Sequence, residues 1–292
     1  MGIAFSKFIR AKKAGFDTTS QYLYTITGTP NIYDREQENV ALRHNIVREI
    51  WGSNFLSPIS CELRQGGLRV LDVGCGFGIW LFEMSSEFPN CSYVGVDMSP
   101  QLFIANKPKN VEFVLADVKD ELPFPDDYFD FIFIRNMGFD LLETQWISLI
   151  LECSRVLKSG GYFEITEAEL RSMNDGPTLI KLSKKFHEYI ASTKINTLIV
   201  EKIENFLKST NKFQDIVHHT RPFLEGSWGG TLKDSYKSYS TDIFRSVLKF
   251  SDVKEKDYDD TIKILMDEAT VHKTYFNLHK FVSKKNILLY EL

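Results

Sequence analysis

The stretch Arg69-Val-Leu-Asp-Val-Gly-Cys-Gly-Phe-Gly78, continued by Ile79-Trp-Leu-Phe-Glu-Met84, decides the fold. Arg69 to Val73 is a short, mainly apolar run of the kind that forms a buried strand. Glycines at 74, 76 and 78 follow at once. Glycine adopts left-handed backbone at little cost, so here the chain can turn sharply and approach a ligand without a Cβ in the way. Ile79 to Glu87 then reads as a helix, and Ser92 to Val96 as a second apolar strand ending at Asp97. Strand, glycine turn, helix, strand is the unit from which parallel sheets are wound.

The same rhythm continues outward. Strands are expected at Val111 to Ala116 and Phe129 to Ile134, then a helix from Leu141 to Leu157. A strand from Tyr162 to Glu167 follows, introduced by a turn at Lys158-Ser-Gly-Gly161. This predicts an α/β, Rossmann-like, doubly wound and mostly parallel sheet covered by helices on both faces. A long helical stretch from Thr178 to Thr210 leaves from the carboxyl end of a strand, the edge where open α/β sheets bind ligands. Residues 168–212 are therefore expected as a helical cap insertion. Phe186, Tyr189 and Phe206 suit equally a helix that only thickens the domain. Strand-like sequence from Phe213 to Phe223, helices at Thr241 to Leu248 and Asp260 to Thr270, and a strand from Tyr275 to Val282 complete the sheet. Upstream, Val40, Leu42, Ile46, Val47 and Ile50 recur at helical spacing within Glu36 to Gly52, an amphipathic lid or brace. Residues 31–292 are expected as one domain behind a flexible basic leader over residues 1–30.

The 292 residues are 43% hydrophobic and 25% charged, an ordinary globular composition with no run apolar enough to span a bilayer. A formal net charge of −4 gives no cationic field, so nucleic acid is not an expected partner. Cys61, Cys75, Cys91 and Cys153 form no CxxC pair and follow no secretory signal, which points to reduced thiols and a cytoplasmic setting. Met1-Gly-Ile-Ala-Phe-Ser6 fits the N-myristoylation pattern and precedes Lys7, Arg10, Lys12 and Lys13. One acyl chain plus a basic cluster would give peripheral membrane contact in a eukaryote; the alternative is a chance match on a polar leader.

The spacing of the glycine turn discriminates among ligands. Dinucleotide sites show G-x-G-x-x-G, with a pyrophosphate at the helix N-terminus. Here the spacing is G-x-G-x-G, with Asp72 two positions before the first glycine. Carboxylates beside the turn would repel a pyrophosphate but suit the sulfonium and ammonium of S-adenosylmethionine. Asp97, nineteen residues beyond Gly78, stands where an acidic side chain can accept hydrogen bonds from ribose hydroxyls, and Asp117 closes the third strand, in reach of an adenine amino group.

The segments Leu71 to Trp80, Val94-Gly-Val-Asp-Met-Ser-Pro100, Leu122-Pro-Phe-Pro-Asp126 with Phe129-Asp-Phe-Ile132, and Arg155-Val-Leu-Lys-Ser-Gly-Gly-Tyr162 resemble successive motifs of class I methyltransferases. The wider setting includes Ile32 to Glu38, Arg43-His44, Glu87-Phe-Pro89, Arg135-Asn-Met137 and Gly226-Ser-Trp-Gly-Gly230. It is similar to the fungal LaeA-like methyltransferases related to regulators of secondary metabolism, over about residues 30 to 250. The resemblance implies a seven-stranded sheet whose final strand is antiparallel. It also implies cofactor contacts at Asp72, Gly74, Cys75, Gly76, Gly78, Asp97, Met98, Asp117, Val118, Arg135 and Asn136. Cys75 stands where the family usually has threonine, and Ala116-Asp117 where it has an acidic pair; a turn read through its backbone tolerates both.

Methylation at oxygen or nitrogen of a small-molecule acceptor is the leading expectation. A protein methyltransferase or cofactor-binding regulator working with a protein partner is the alternative, and a nicotinamide oxidoreductase is disfavoured by the turn spacing. His187, His218, His219 and Glu167 are the candidates for a general base. No metal site is expected, because His218-His219 lacks a spaced third ligand and no HExxH helix is present. Trp228 reads either as a pocket wall or as a plug holding its loop to the core, the plug being the commoner fate of tryptophan.

Overall fold

The computed structural model describes residues 32–98, 107–169, 171–228 and 233–287. The basic leader with its myristoylation pattern lies outside them, as do Gly229 and Gly230. In chain order the elements are α1 (Ile32–Trp51), α2 (Ser60–Gln65), β1 (Arg69–Val73), α3 (Ile79–Glu87), β2 (Ser92–Asp97), β3 (Val111–Leu115), β4 (Phe129–Arg135) and α4 (Glu143–Val156). There follow β5 (Leu157–Ala168), α5 (Pro177–Ser192), α6 (Val200–Ser209), β6 (Phe213–Leu224), α7 (Lys233–Leu248), α8 (Tyr258–His272) and β7 (Tyr275–Lys285).

The strands form one seven-stranded sheet in the order β3-β2-β1-β4-β5-β7-β6. Its pairs are parallel from β3 to β5, and β7 runs antiparallel to both neighbours. Both faces are buried, so successive side chains supply two cores. Leu71, Val73, Ile132, Ile134 and Phe163 pack on one face with Trp146 and Ile150 of α4. Val70, Tyr93, Phe131 and Phe133 pack on the other with Trp80, Leu81 and Met84 of α3. Trp80 lies flat on Phe133 at 4.2 Å, and its Nε1 donates to the Asn54 carbonyl at 3.0 Å. Burying and stacking this ring stabilises the fold by about 2–4 kcal/mol and fixes the start of α3, directly after the glycine turn.

Two sequence expectations change. Lys158 to Gly161 is not a turn before the strand but part of β5, which begins at Leu157 and is irregular against β4 between Phe129 and Phe131. Gly160, at φ +73, absorbs the extra residues as left-handed backbone. The single stretch Thr178 to Thr210 is two helices. Ser192 and Thr193 hydroxyls donate back to the Tyr189 and Ile190 carbonyls at 2.6 Å, and Lys194 turns left-handed at φ +64.

The two halves of residues 168–212 also do different things. Leu179 of α5 joins Phe244 and Leu248 of α7 and Leu265 of α8 in a satellite core beyond the sheet edge. Ile203 and Leu207 of α6 instead belong to the main core, with Phe206 packed against it. Only α5 leaves the main core; α6 thickens the domain. On the other face α1 places Ile46, Val47 and Trp51 against Phe223 and Leu278 of the β6 and β7 strands, which makes it the expected brace.

Candidate functional site

Gly74, Gly76 and Gly78 have φ of +71, +52 and +70, so all three require left-handed backbone. A Cβ on Gly74 would strike the Met137 Sδ, and one on Gly78 would come within 2.6 Å of the Phe113 ring. Over Gly76 there is nothing within 4 Å. The turn is therefore packed at its flanks and open at its centre. The Gly74 and Cys75 amides donate to the Val96 carbonyl at 2.8 and 3.2 Å, and the Gly76 amide donates to the Asp97 carboxylate at 2.9 Å. Asp97, read as a ribose acceptor, thus also ties β2 to the turn. Cys75 packs its sulfur on Gly95 of β2, and burial pushes its thiol well up, so the residue serves the turn through its backbone.

The carboxyl ends of the strands carry acidic groups that burial makes uncomfortable. Asp72, 4% exposed, is pushed up to about 7 by burial, with Arg135 opposing and Asp97 adding to the rise. Asp140 is pushed up to about 6 by burial and by Asp97. Glu167, at the end of β5, is pushed up to about 8 by burial and by Asp140, although it accepts the Met137 and Gly138 amides at 2.6 and 3.2 Å. Asp72, Asp97, Asp140 and Glu167 are thus electrostatically linked, and a cationic ligand among them lowers the energy of every ionised member. A sulfonium with an ammonium answers that field; a pyrophosphate would raise it. Open space over Gly76 together with this field means that the residues present fit S-adenosylmethionine.

The remaining expected contacts are distributed. Asn136, left-handed at φ +58, directs its amide to the Thr166 carbonyl. Arg135 donates to His44 Nδ1 at 2.9 Å, and burial together with Arg135 pushes His44 down to about 4, so that it stays neutral with Nε2 2.9 Å from Glu83. Its guanidinium is thereby engaged with α1. Asp117 accepts the Lys119 amide at 3.0 Å. Val118 buries its side chain in the main core and can present only backbone to a ligand. Met98, half-buried, directly follows Asp97 at the end of β2.

Beside the turn lies a cavity of about 390 Å³, walled by α1, α5 and α7 and by the ends of β4 to β7. Phe139, Phe186, Phe223, Tyr239 and Phe250 give it an aromatic lining, and Arg43, Glu167, Glu169, His187 and Glu225 are among its polar groups. Asn136 and Gly138 also face it, while Met137 between them abuts Gly74. The tripeptide after β4 is therefore the shared wall between turn and cavity.

Of the four candidate bases, Glu167 and His187 line this cavity and the other two do not. His218 stands on β6 with Nε2 2.9 Å from His279 Nδ1 and its ring stacked on Phe281, and His219 is exposed on the same strand. As neighbours in a strand the two face opposite sides of the sheet, and neither lines the cavity. Trp228 donates from Nε1 to the Thr274 carbonyl at 3.2 Å, as a plug does. Among the described residues no group of three His, Cys, Asp or Glu side chains could hold a metal ion. Asp140 and Glu225 were not singled out from sequence; Glu225 is an acidic residue directly after a strand, the signal that marked Asp97, whereas Asp140 lies five residues beyond β4.

A family model described as a methyltransferase domain matches residues 70–161. The N-methyltransferase gliN of Aspergillus fumigatus is 31% identical over 42% of this chain and 39% of that protein. The secondary metabolism regulator laeA of Aspergillus flavus is 31% identical over 54% and 42%. The chain thus spans about two fifths of the length of these relatives. Phosphoethanolamine N-methyltransferase 2 of Haemonchus contortus, solved in complex with S-adenosyl-L-methionine, shares the fold at a TM-score of 0.51 and 22% identity, over 85% of this chain and 57% of that one. Residues 70–161 thus match a methyltransferase domain family, and the chain is similar to methyltransferases that include the fungal gliN and to the regulator laeA.

Proposed function

We propose that the chain methylates an oxygen or nitrogen of a small-molecule acceptor held in the aromatic cavity. The carrying observation is the wall Asn136-Met137-Gly138, whose middle residue packs on the glycine turn while the outer two face the cavity. S-adenosylmethionine, when bound, supplies a methyl group already activated by its sulfonium. The chain's own residues then have three tasks. The turn around Gly76 and the carboxyls of Asp72, Asp97 and Asp140 hold the cofactor. The aromatic lining orients the acceptor and excludes water, and orientation carries much of the barrier reduction in such a displacement. Glu167, at the cofactor end of the cavity, takes the acceptor's proton in its ionised form, the minor form at neutral pH of a carboxyl held near 8 and the form that a neighbouring cation favours. The walls contributed by α5 and α7 favour a small molecule over a protein side chain, which needs an open groove.

Calorimetric titration with S-adenosylhomocysteine tests the reading, with Asp97→Ala alongside. Removing a charged acceptor for the ribose hydroxyls costs about 1.5–3 kcal/mol of binding, so micromolar affinity of the wild type is expected to weaken at least tenfold. A folded wild type that binds no S-adenosylhomocysteine overturns the proposal.

A further inference from the structure

Glu225 has no part in the chemistry above. It follows the last residue of β6, is 3% exposed and lines the cavity, and its Oε2 has no hydrogen-bond partner among the described residues. Asp175, whose charge acts on it, likewise has a buried oxygen, Oδ1, without a partner. A buried carboxyl left unsatisfied costs stability unless a ligand completes it. Its position is remote from the methyl-transfer end. Glu167 is level with His279 and Thr220 across the sheet, whereas Leu224 pairs with Tyr275. Glu225 lies five residues beyond Thr220, roughly 16 Å along the strand at about 3.3 Å per residue. Between the two carboxyls the lining is aromatic, with Phe223, Tyr239 and Phe276 near the Glu225 end. An aromatic lining suits a cation there better than an anion.

Resting on the methyltransferase reading, we propose that the acceptor is an elongated, largely apolar molecule carrying an ammonium group distal to the methylated atom, and that Glu225 is the residue that anchors this group. The cavity's other charges allow this: Arg43 is met by Glu169 and Asp242, while Glu167 and Glu225, held near 8, are neutral at pH 7 until a cation docks beside them. Glu225 is held up near 8 by burial and by Asp175, so in the empty cavity it carries a proton at pH 7. When an ammonium docks against it, the carboxyl releases that proton to solvent and the pair forms as ammonium and carboxylate. His187 also lines the cavity, on α5.

The test uses two probes of one shape, 4-phenylbutylamine and 4-phenylbutan-1-ol, titrated calorimetrically into the full chain with and without S-adenosylhomocysteine. The wild type is expected to bind the amine at least tenfold more tightly than the alcohol. Glu225→Gln is expected to abolish that preference while keeping its affinity for S-adenosylhomocysteine. In buffers of different ionisation enthalpy at pH 7, the wild type should release close to one proton per amine bound and none per alcohol. Equal binding of the two probes, including none of either, overturns the anchor, as does a preference that survives in Glu225→Gln. Should that variant fail to fold, the wild-type proton release decides alone, and its absence sinks the idea. Loss of S-adenosylhomocysteine binding in the wild type is a different failure, that of the methyltransferase reading, and the titrations without it keep the two apart.

Discussion

Replacing Gly76 by alanine separates the two jobs of the turn. At φ +52 an alanine costs about 1–2 kcal/mol for its left-handed backbone. About 0.4–1 kcal/mol of that is offset, because alanine has less conformational freedom to lose from the unfolded chain. No heavy atom lies within 4 Å of the added Cβ, so there is no packing penalty. The net loss is about 1 kcal/mol, which lowers Tm by roughly 2–4 °C in a chain of this size. Gly78→Ala is the contrast. Its Cβ would lie 2.6 and 2.8 Å from two atoms of the Phe113 ring, which itself meets Phe82 edge-on, so overpacking adds about 1–3 kcal/mol to the backbone term. Binding should not follow stability in the first variant. On the proposed reading the open space over Gly76 admits the cofactor, so a methyl group there is expected to weaken S-adenosylhomocysteine at least tenfold, about 1.4 kcal/mol. Thermal unfolding and calorimetric titration of both variants check this. Unchanged affinity in Gly76→Ala would refute the assignment of that space to the cofactor. A Tm as low as that of Gly78→Ala would refute the steric reasoning.

Arg155 offers a stability prediction away from the site. It donates to the Leu122 and Phe124 carbonyls at 2.9 Å and pairs with Glu152 and Asp126 at 2.8 Å, pinning residues 122–126 to α4. Arg155→Ala is expected to cost about 2–4 kcal/mol, and lysine, without the planar fork, to restore less than half of it in thermal melts. The carboxyls of the cavity make stability depend on pH. Glu167 and Glu225 are held near 8 in the fold against an ordinary 4.5, so the folded chain binds more protons between those values. Their contribution is complete below pH 4.5 and is lost as pH rises through 8. The ligand-free chain should therefore show a falling Tm from pH 6.5 to 9, and Glu167→Gln should flatten part of the slope; a Tm that climbs across this window contradicts the burial argument.

How much of this was legible in the sequence depended on whether a feature was local. The bounds of β1 and α3 were readable to the residue because an apolar run, a glycine turn and a helical period adjoin one another in the chain. The break in 178–210 was not, because it rests on a left-handed Lys194 and on hydroxyls folding back onto their own helix, for which lysine and serine give no signal. The start of β5 was misread for the opposite reason. Ser159-Gly160-Gly161 carries a strong turn signal, yet pairing of Leu157 with Phe129 extends the strand through it.

The same division separates the two halves of the site. Asp72, the three glycines and Asp97 lie within one strand-turn-helix-strand unit, so their spacing encodes their meeting. Glu167, His187 and Glu225 meet around the cavity from β5, α5 and the end of β6, and only the sheet order β5-β7-β6 makes them neighbours. That placement also distinguishes histidines that composition treats alike. His187 faces the cavity because α5 lies beyond the sheet edge, whereas His218 is turned onto Phe281 by its register in an edge strand. On the proposed reading the methyl acceptor is recognised by the half that sequence spacing does not encode. For that reason the orphaned oxygen of Glu225, rather than any motif, is the feature that most narrows the choice of acceptor.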